Sequence, residues 1–132
     1  MSNSNVTTVQ NLYTAYEEGN LDGVLALLAD DVDWAAEAPA AGAPWYGSYL
    51  GKAAVPSFFA AIADNIDTEV FHVVGITSND RDVIATVDWK FTVKSTGKTA
   101  AMYMQHWWRF ADGKIVFFRG SEDSAQTVEA FR

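Results

Sequence analysis

The chain has no cysteine, few prolines and no long apolar run. Because none of its 132 residues is a cysteine, disulfides and cysteine-based zinc or iron–sulfur sites are excluded, and the core alone has to hold the fold. No apolar stretch approaches the length of a membrane span, and the polar N-terminal segment lacks the pattern of a signal peptide. We therefore expect a cytoplasmic protein with no membrane partner.

Basic residues are also scarce, with 9 lysines and arginines against 17 aspartates and glutamates and a net charge of −8. Only one of the basic residues, Lys52, lies before Val73. Such a surface repels phosphate backbones, so we expect no nucleic-acid partner. We interpret the excess acid as a solvated face that maintains solubility.

Aromatic residues are abundant by contrast: they make up 14% of the chain and include five tryptophans. The length predicts one domain spanning residues 1–132. A domain of this size has two places for so many rings, a lined pocket and a buried subunit interface.

Helical periodicity dominates the first half of the sequence. Apolar side chains recur at i, i+3, i+4 and i+7 in three segments, which predicts three amphipathic helices. The sets are Val9, Leu12, Tyr13 and Tyr16; Leu21, Val24, Leu25 and Leu28; and Val55, Phe58, Phe59 and Ile62. Between the last two, Val32 to Trp34 alternates like a short strand, and the glycine- and proline-containing segment 38–51 is predicted to be a long loop.

From Thr68 onward the apolar period changes to two. We predict strands at about 69–77, 81–93, 99–111 and 114–121, joined by turns at 79–80, 96–97 and 112–113, and a short final helix capped by Asp123. The order of elements predicts an α+β fold in which three N-terminal helices cover one face of a curved antiparallel sheet.

Alternation along the third strand of this sheet divides its side chains between two faces. The inward row is Met102, Met104, His106, Trp108 and Phe110, and the outward row is Tyr103, Gln105, Trp107 and Arg109. An inner face lined by rings suits a small planar, apolar ligand, although the same rings can equally fill a core. Outward rings, including Phe117, predict a homodimer through the outer face of the sheet.

Several segments together resemble the SnoaL-like and ketosteroid-isomerase-like proteins, whose fold is that of nuclear transport factor 2. The segments are Leu12-Tyr13-x-x-Tyr16-x-x-Gly19-Asn20, Tyr49-Leu50-Gly51-Lys52, His106-Trp107-Trp108-Arg109-Phe110 and Arg119-Gly120-Ser121-Glu122. The resemblance covers nearly the whole chain and implies a cone-shaped domain around a deep apolar pocket. Because the superfamily contains isomerases, cyclases, hydrolases and proteins without chemistry, it does not specify a reaction.

The ketosteroid isomerases use a carboxylate base and an oxyanion hole formed by a tyrosine and a protonated aspartate. By resemblance, the base position falls on Ala38, next to Glu37, and the aspartate position falls on His106. The tyrosine position falls on Leu12, close to Tyr13 and Tyr16 on the same helix. The isomerase set is therefore incomplete.

The acid that cyclases and limonene-type epoxide hydrolases carry in the last strand corresponds to Gly120. The hydrolases' further arginine and aspartate correspond to Val87 and Trp89. These departures argue against both reactions.

Two hypotheses remain. The first is a cofactor-free isomerase or lyase that acts on a hydrophobic carbonyl compound, with Glu37 and His106 as catalytic residues that transfer protons. The second is a non-catalytic protein that binds a small molecule in the same pocket. Both use the same predicted ligand-binding residues: Tyr13, Tyr16, Trp34, Trp89, Met102, Met104, Trp108 and Phe118. With only two histidines and no ligand spacing typical of metal sites, we expect no metal and no cofactor.

Overall fold

The computed structural model describes residues 2–38 and 42–132. The helices are α1 (Ser2–Glu17), α2 (Leu21–Leu25), α3 (Val55–Asn65) and α4 (Ser124–Ala130), and a short 3-10 turn, Lys52–Ala54, leads into α3. The strands are β1 (Leu28–Ala36), β2 (Gly47–Leu50), β3 (Ile66–Ser78), β4 (Asp82–Val93), β5 (Thr99–Ala111) and β6 (Lys114–Ser121). None of the helices in the described part of the chain is long and apolar enough to cross a membrane.

The strands form one open, six-stranded sheet in the order β2-β1-β6-β5-β4-β3. All neighbours are antiparallel except β1 and β6, which run parallel. Register shifts interrupt the β3–β4 ladder at two places, and such bulges bend a sheet. The predicted α+β class and the four-stranded meander β3 to β6 are confirmed.

Local capping and turn chemistry explain several boundaries. The side chain of Asn20 accepts a hydrogen bond of 2.9 Å from the amide of Gly23 at the start of α2. Asp123 accepts one of 3.1 Å from the amide of Gln126, which confirms the predicted cap of α4. Asp112 and Gly113 both have positive φ, 51° and 78°, as a tight two-residue turn between β5 and β6 requires.

The structure corrects two predictions in the first half of the chain. Helix α2 ends at Leu25, and Leu28 begins β1 instead of completing the helix. Burial in β1 includes residues separated by even numbers of positions, as in a strand: Leu28, Val32, Trp34 and Ala36. Pairing of this strand with β6 therefore outweighs the helical spacing of Leu28. Residues 47–50 of the predicted loop form strand β2, because β1 supplies a pairing edge. Residues 39–41 of that loop lie outside the described residues.

The core fills the concave face of the sheet. Every second residue of β4 from Val83 to Val93 is buried, and so are Met102, Met104, Trp108 and Phe110 on β5. On the opposite face of β5, Tyr103 and Trp107 are exposed. The predicted inward and outward rows of this strand are thus confirmed. Helices α1 and α3 cover the inner face with residues such as Leu12 and Phe58.

A hydrogen-bonded aspartate links β4 to β5 on the outer face. The Asp82 carboxylate accepts hydrogen bonds from Nε of Arg109 at 2.8 Å and from the indole N–H of Trp107 at 3.0 Å. The hydrogen bond from Arg109, together with those from Trp107 and Asn79, lowers the pKa of Asp82 to about 2. Its ionised form is therefore part of the folded state.

Replacing Asp82 should remove part of the acid sensitivity of the fold. Because its folded pKa lies below its ordinary value of 3.8, Asp82 stabilises the fold above that value. This contribution is lost as the pH falls toward about 2. We expect the urea midpoint of the parent to fall more than that of Asp82→Asn between about pH 4 and about pH 2. Asp80→Asn is the control, and parallel curves for parent and Asp82→Asn would contradict the assignment.

Candidate functional site

A cavity lies between helices α1 and α3 and the concave face of the sheet. Helix α1 contributes Tyr13 and Tyr16, and β4, β5 and β6 contribute the inward side chains of their alternating rows. The lining is mainly apolar and aromatic, and the rings meet largely edge to face. The space open to the centre of a water molecule is about 60 Å³, several times what one water needs.

A chain of polar groups crosses one side of this cavity. The hydroxyl of Tyr13 lies 2.7 Å from Nδ1 of His106, and the indole N–H of Trp108 donates to the same hydroxyl at 3.4 Å. The helical spacing of α1 turns Tyr13 toward the sheet, and alternation along β5 turns His106 and Trp108 toward the helix. The three side chains therefore meet by the ordinary periodicity of their elements.

His106 is neutral at physiological pH. The rings of Tyr13, Trp108 and Phe118 surround its imidazole with centroids 5.3 to 5.9 Å away. Burial among them lowers the pKa of His106 from 6.5 to about 4. Burial also raises the pKa of Tyr13, so its hydroxyl remains protonated.

These protonation states determine which imidazole nitrogen carries the proton. A phenol is a better hydrogen-bond donor than a neutral imidazole, and the imidazole is the better acceptor. We therefore assign the hydrogen bond as Tyr13 O–H to Nδ1 of His106, which leaves the proton on Nε2. Nε2 forms no hydrogen bond with any described residue, so the cavity lining holds a free N–H donor.

Glu122 lies elsewhere in the lining, just after the end of β6. Its Oε1 accepts a hydrogen bond of 2.9 Å from the indole N–H of Trp45. Its Oε2 accepts hydrogen bonds from the hydroxyls of Tyr46 at 3.0 Å and Thr127 at 2.6 Å. Trp45 and Thr127 are buried, so this carboxylate is fixed by donors that are themselves part of the core.

Most of the predicted site residues meet in the cavity. The lining includes His106 and seven of the eight predicted ligand-binding residues: Tyr13, Tyr16, Trp34, Trp89, Met104, Trp108 and Phe118. Met102 is buried but is not part of the lining. Their part in binding a ligand stays a prediction.

The structure does not bring Glu37 into the cavity. Its carboxylate accepts a hydrogen bond from Nε of Arg119, and the same guanidinium pairs with Asp33 at 3.1 Å. Strand alternation explains this placement: Trp34 and Ala36 face the cavity, whereas Asp33 and Glu37 face outward with Arg119. The base position inferred from the resemblance, Ala38, is half-buried.

Sequence reasoning missed the cavity's own carboxylate. Glu122 is two residues beyond Gly120 and four beyond Phe118, so it continues the inward row of β6 past the end of the strand. Counting this alternation further would have found it. Trp45, by contrast, lies outside any regular element, and no periodicity places it in the lining. Within the described residues, no group of three or more histidines and acids is placed to hold a metal.

The family follows from a match along most of the sequence. Residues 9–118 match the model of the SnoaL-like domain. The chain belongs to the SnoaL-like family. This confirms the resemblance inferred from the motifs, and the sheet and helices described above have the corresponding fold.

Solved structures with this fold cover nearly the whole chain. A protein of unknown function from Burkholderia pseudomallei, described as NTF2-like, is 26% identical, covers 98% of each chain and has a TM-score of 0.88. An NTF2-like protein from Burkholderia xenovorans is 20% identical over 100% of this chain and 98% of its own, with a TM-score of 0.90. A putative polyketide cyclase from Xanthomonas campestris is 21% identical over 99% and 98%, with a TM-score of 0.82. No curated protein matches the chain.

The protonation of His106 can be measured directly. We expect its imidazole signals to keep their neutral-form shifts from about pH 8 to about pH 5 and to titrate near the folded pKa of about 4. The unfolded chain binds this proton at higher pH, so His106 also lowers stability as the pH falls from about 6.5 to about 4. NMR with His72→Gln for assignment tests the titration, and a midpoint near 6.5 would contradict the burial argument.

Proposed function

We propose that this SnoaL-like protein binds a small, largely apolar molecule and holds an oxygen atom of that molecule at Nε2–H of His106. The observation that carries the proposal is the neutral, ring-enclosed imidazole, whose Nδ1 is occupied by Tyr13 and whose other nitrogen has no partner among the described residues. This N–H has no protein acceptor and lies in an apolar lining, where a hydrogen bond is stronger than in water, so a ligand oxygen that accepts from it gains affinity.

The rest of the lining supports an apolar ligand. Rings from helices and strands form most of the cavity surface, and they favour a flat molecule over a hydrated one. The space in the cavity is narrow, so a ligand larger than a few waters requires side chains to move. Met104 is suited to this because its unbranched side chain changes rotamer easily.

A reaction is the second candidate, and the same donor favours it. A hydrogen bond from His106 to a carbonyl oxygen stabilises the negative charge that develops when a neighbouring carbon loses a proton. This is the proton transfer of a cofactor-free isomerase or lyase. Glu37, the base proposed from the sequence, would first have to leave Arg119, so binding is the function that the geometry supports better. Undiminished turnover in Glu37→Gln would remove Glu37 from the mechanism.

We also propose a homodimer formed through the outer face of the sheet. Tyr103 and Trp107 on β5 expose 65% and 37% of their surface, and Val70 and Val74 on β3 are exposed nearby in the same sheet. Burying such a surface against a second copy removes apolar area from water. The guanidinium of Arg109, 5.1 Å from the centre of the Trp107 ring, covers part of this surface in the monomer.

Matched ligands and variants test the proposed binding mode. We expect acetophenone to bind in calorimetric titrations and ethylbenzene, which lacks the oxygen, to bind about tenfold more weakly. His106→Leu should remove this preference, and Tyr13→Phe should reduce it because Nδ1 loses its donor. His72→Leu, which alters an exposed histidine on β3 outside the cavity lining, is the control. Equal affinity of the two ligands for the parent would contradict the oxygen anchor.

The dimer is tested by light scattering. We expect the parent to have twice the 14.5 kDa mass of one chain. Tyr103→Lys should shift the mass toward the monomer, because the dimer would have to bury a charge, whereas in the monomer this lysine can pair with Asp88 across the strands. Gln10→Lys on α1 is the control, and a monomeric parent would refute the dimer.

A further inference from the structure

We infer that the ligand of this cavity carries a hydrogen-bond donor, a hydroxyl or a protonated amine, which binds the Glu122 carboxylate while its oxygen acceptor binds His106. This inference rests on the proposed function and specifies the ligand class. It follows from how Glu122 is held, from which of its oxygens is left available, and from its position relative to His106.

Glu122 places a carboxylate at the cavity wall with uncharged hydrogen-bond partners. Three neutral groups, the N–H of Trp45 and the hydroxyls of Tyr46 and Thr127, donate to its carboxylate. Among the described residues, no lysine or arginine forms an ion pair with Glu122, so no fixed cation lies beside it.

One accepting position of the carboxylate remains open. An ionised carboxylate accepts about four hydrogen bonds, about two at each oxygen. Tyr46 and Thr127 occupy Oε2, whereas Oε1 has Trp45 alone. Trp45 lines the cavity and the other two residues do not, so Oε1 is the oxygen on the cavity side. Because a carboxylate only accepts, the matching group on a ligand is a donor.

The position of Glu122 allows one molecule to reach both polar groups. His106 pairs with Gly120 across β5 and β6, and Glu122 follows Gly120 on the same face. Diagonal neighbours of this kind on adjacent strands lie about 7–8 Å apart, which is close to the length of a substituted benzene ring. The cavity thus offers a donor, His106, and an acceptor, Glu122, separated by an apolar surface.

Three acetophenones that differ in the group at the para position distinguish this inference from the proposed function. We expect para-hydroxyacetophenone to bind the parent at least about tenfold more tightly than para-methylacetophenone in calorimetric titrations. The amine analogue, para-(aminomethyl)acetophenone, should likewise bind more tightly than the methyl compound, because its charge also complements the carboxylate. Glu122→Gln should remove most of the preference for the donor. Glu129→Gln, which alters an exposed carboxylate on α4, should retain it.

The outcomes separate the two claims. Equal binding of the hydroxyl, amine and methyl compounds by the parent overturns the role of Glu122 and leaves the oxygen anchor at His106 standing. This comparison does not depend on whether a variant folds. A preference for the donor that persists in folded Glu122→Gln overturns the assignment to this residue. If none of the three compounds binds, the proposed function fails, and the inference fails with it.

Discussion

Helices α1 and α3 cover the apolar inner faces of β4, β5 and β6. The shape of the side chains packed between them determines the shape of the cavity. These side chains are mostly large rings, which pack edge to face: the rings of Trp34 and Trp108, for example, meet at 73° with centroids 5.6 Å apart. Rigid rings that meet in this way bury much apolar area. The cavity lies among these rings, so its lining and the core are made of the same side chains.

The polar chain through Tyr13 and His106 lies within this apolar packing. The buried Tyr13 and the half-buried His106 each need a partner, and their mutual hydrogen bond of 2.7 Å satisfies one group on each. The same contact joins α1 to β5 across the core. It leaves the other imidazole nitrogen without a partner among the described residues, in the lining of the cavity.

Glu122 and Glu37 show how the same side chain acquires different surroundings within one sheet. Glu37 faces outward and is neutralised by Arg119, whose guanidinium also stacks 4.2 Å from the ring centre of Phe117. Glu122 faces inward and is held by uncharged donors from Trp45, Tyr46 and Thr127. Glu37 therefore has a fixed cation beside it, whereas Glu122 has none among the described residues.

The sequence by itself determined the α+β fold, the meander and the inward row containing His106, because periods of two and of 3.6 residues assign faces to strands and helices. Glu37 was chosen from the family resemblance, as the neighbour of the motif position Ala38, and it lies on the face opposite the cavity, where it pairs with Arg119. Strand β2 depended on an edge that only β1 provides, and Trp45 reaches the cavity from outside any regular element. These features, and the hydrogen bond that pairs Tyr13 with His106, join residues far apart in the chain, so only the tertiary structure decided them.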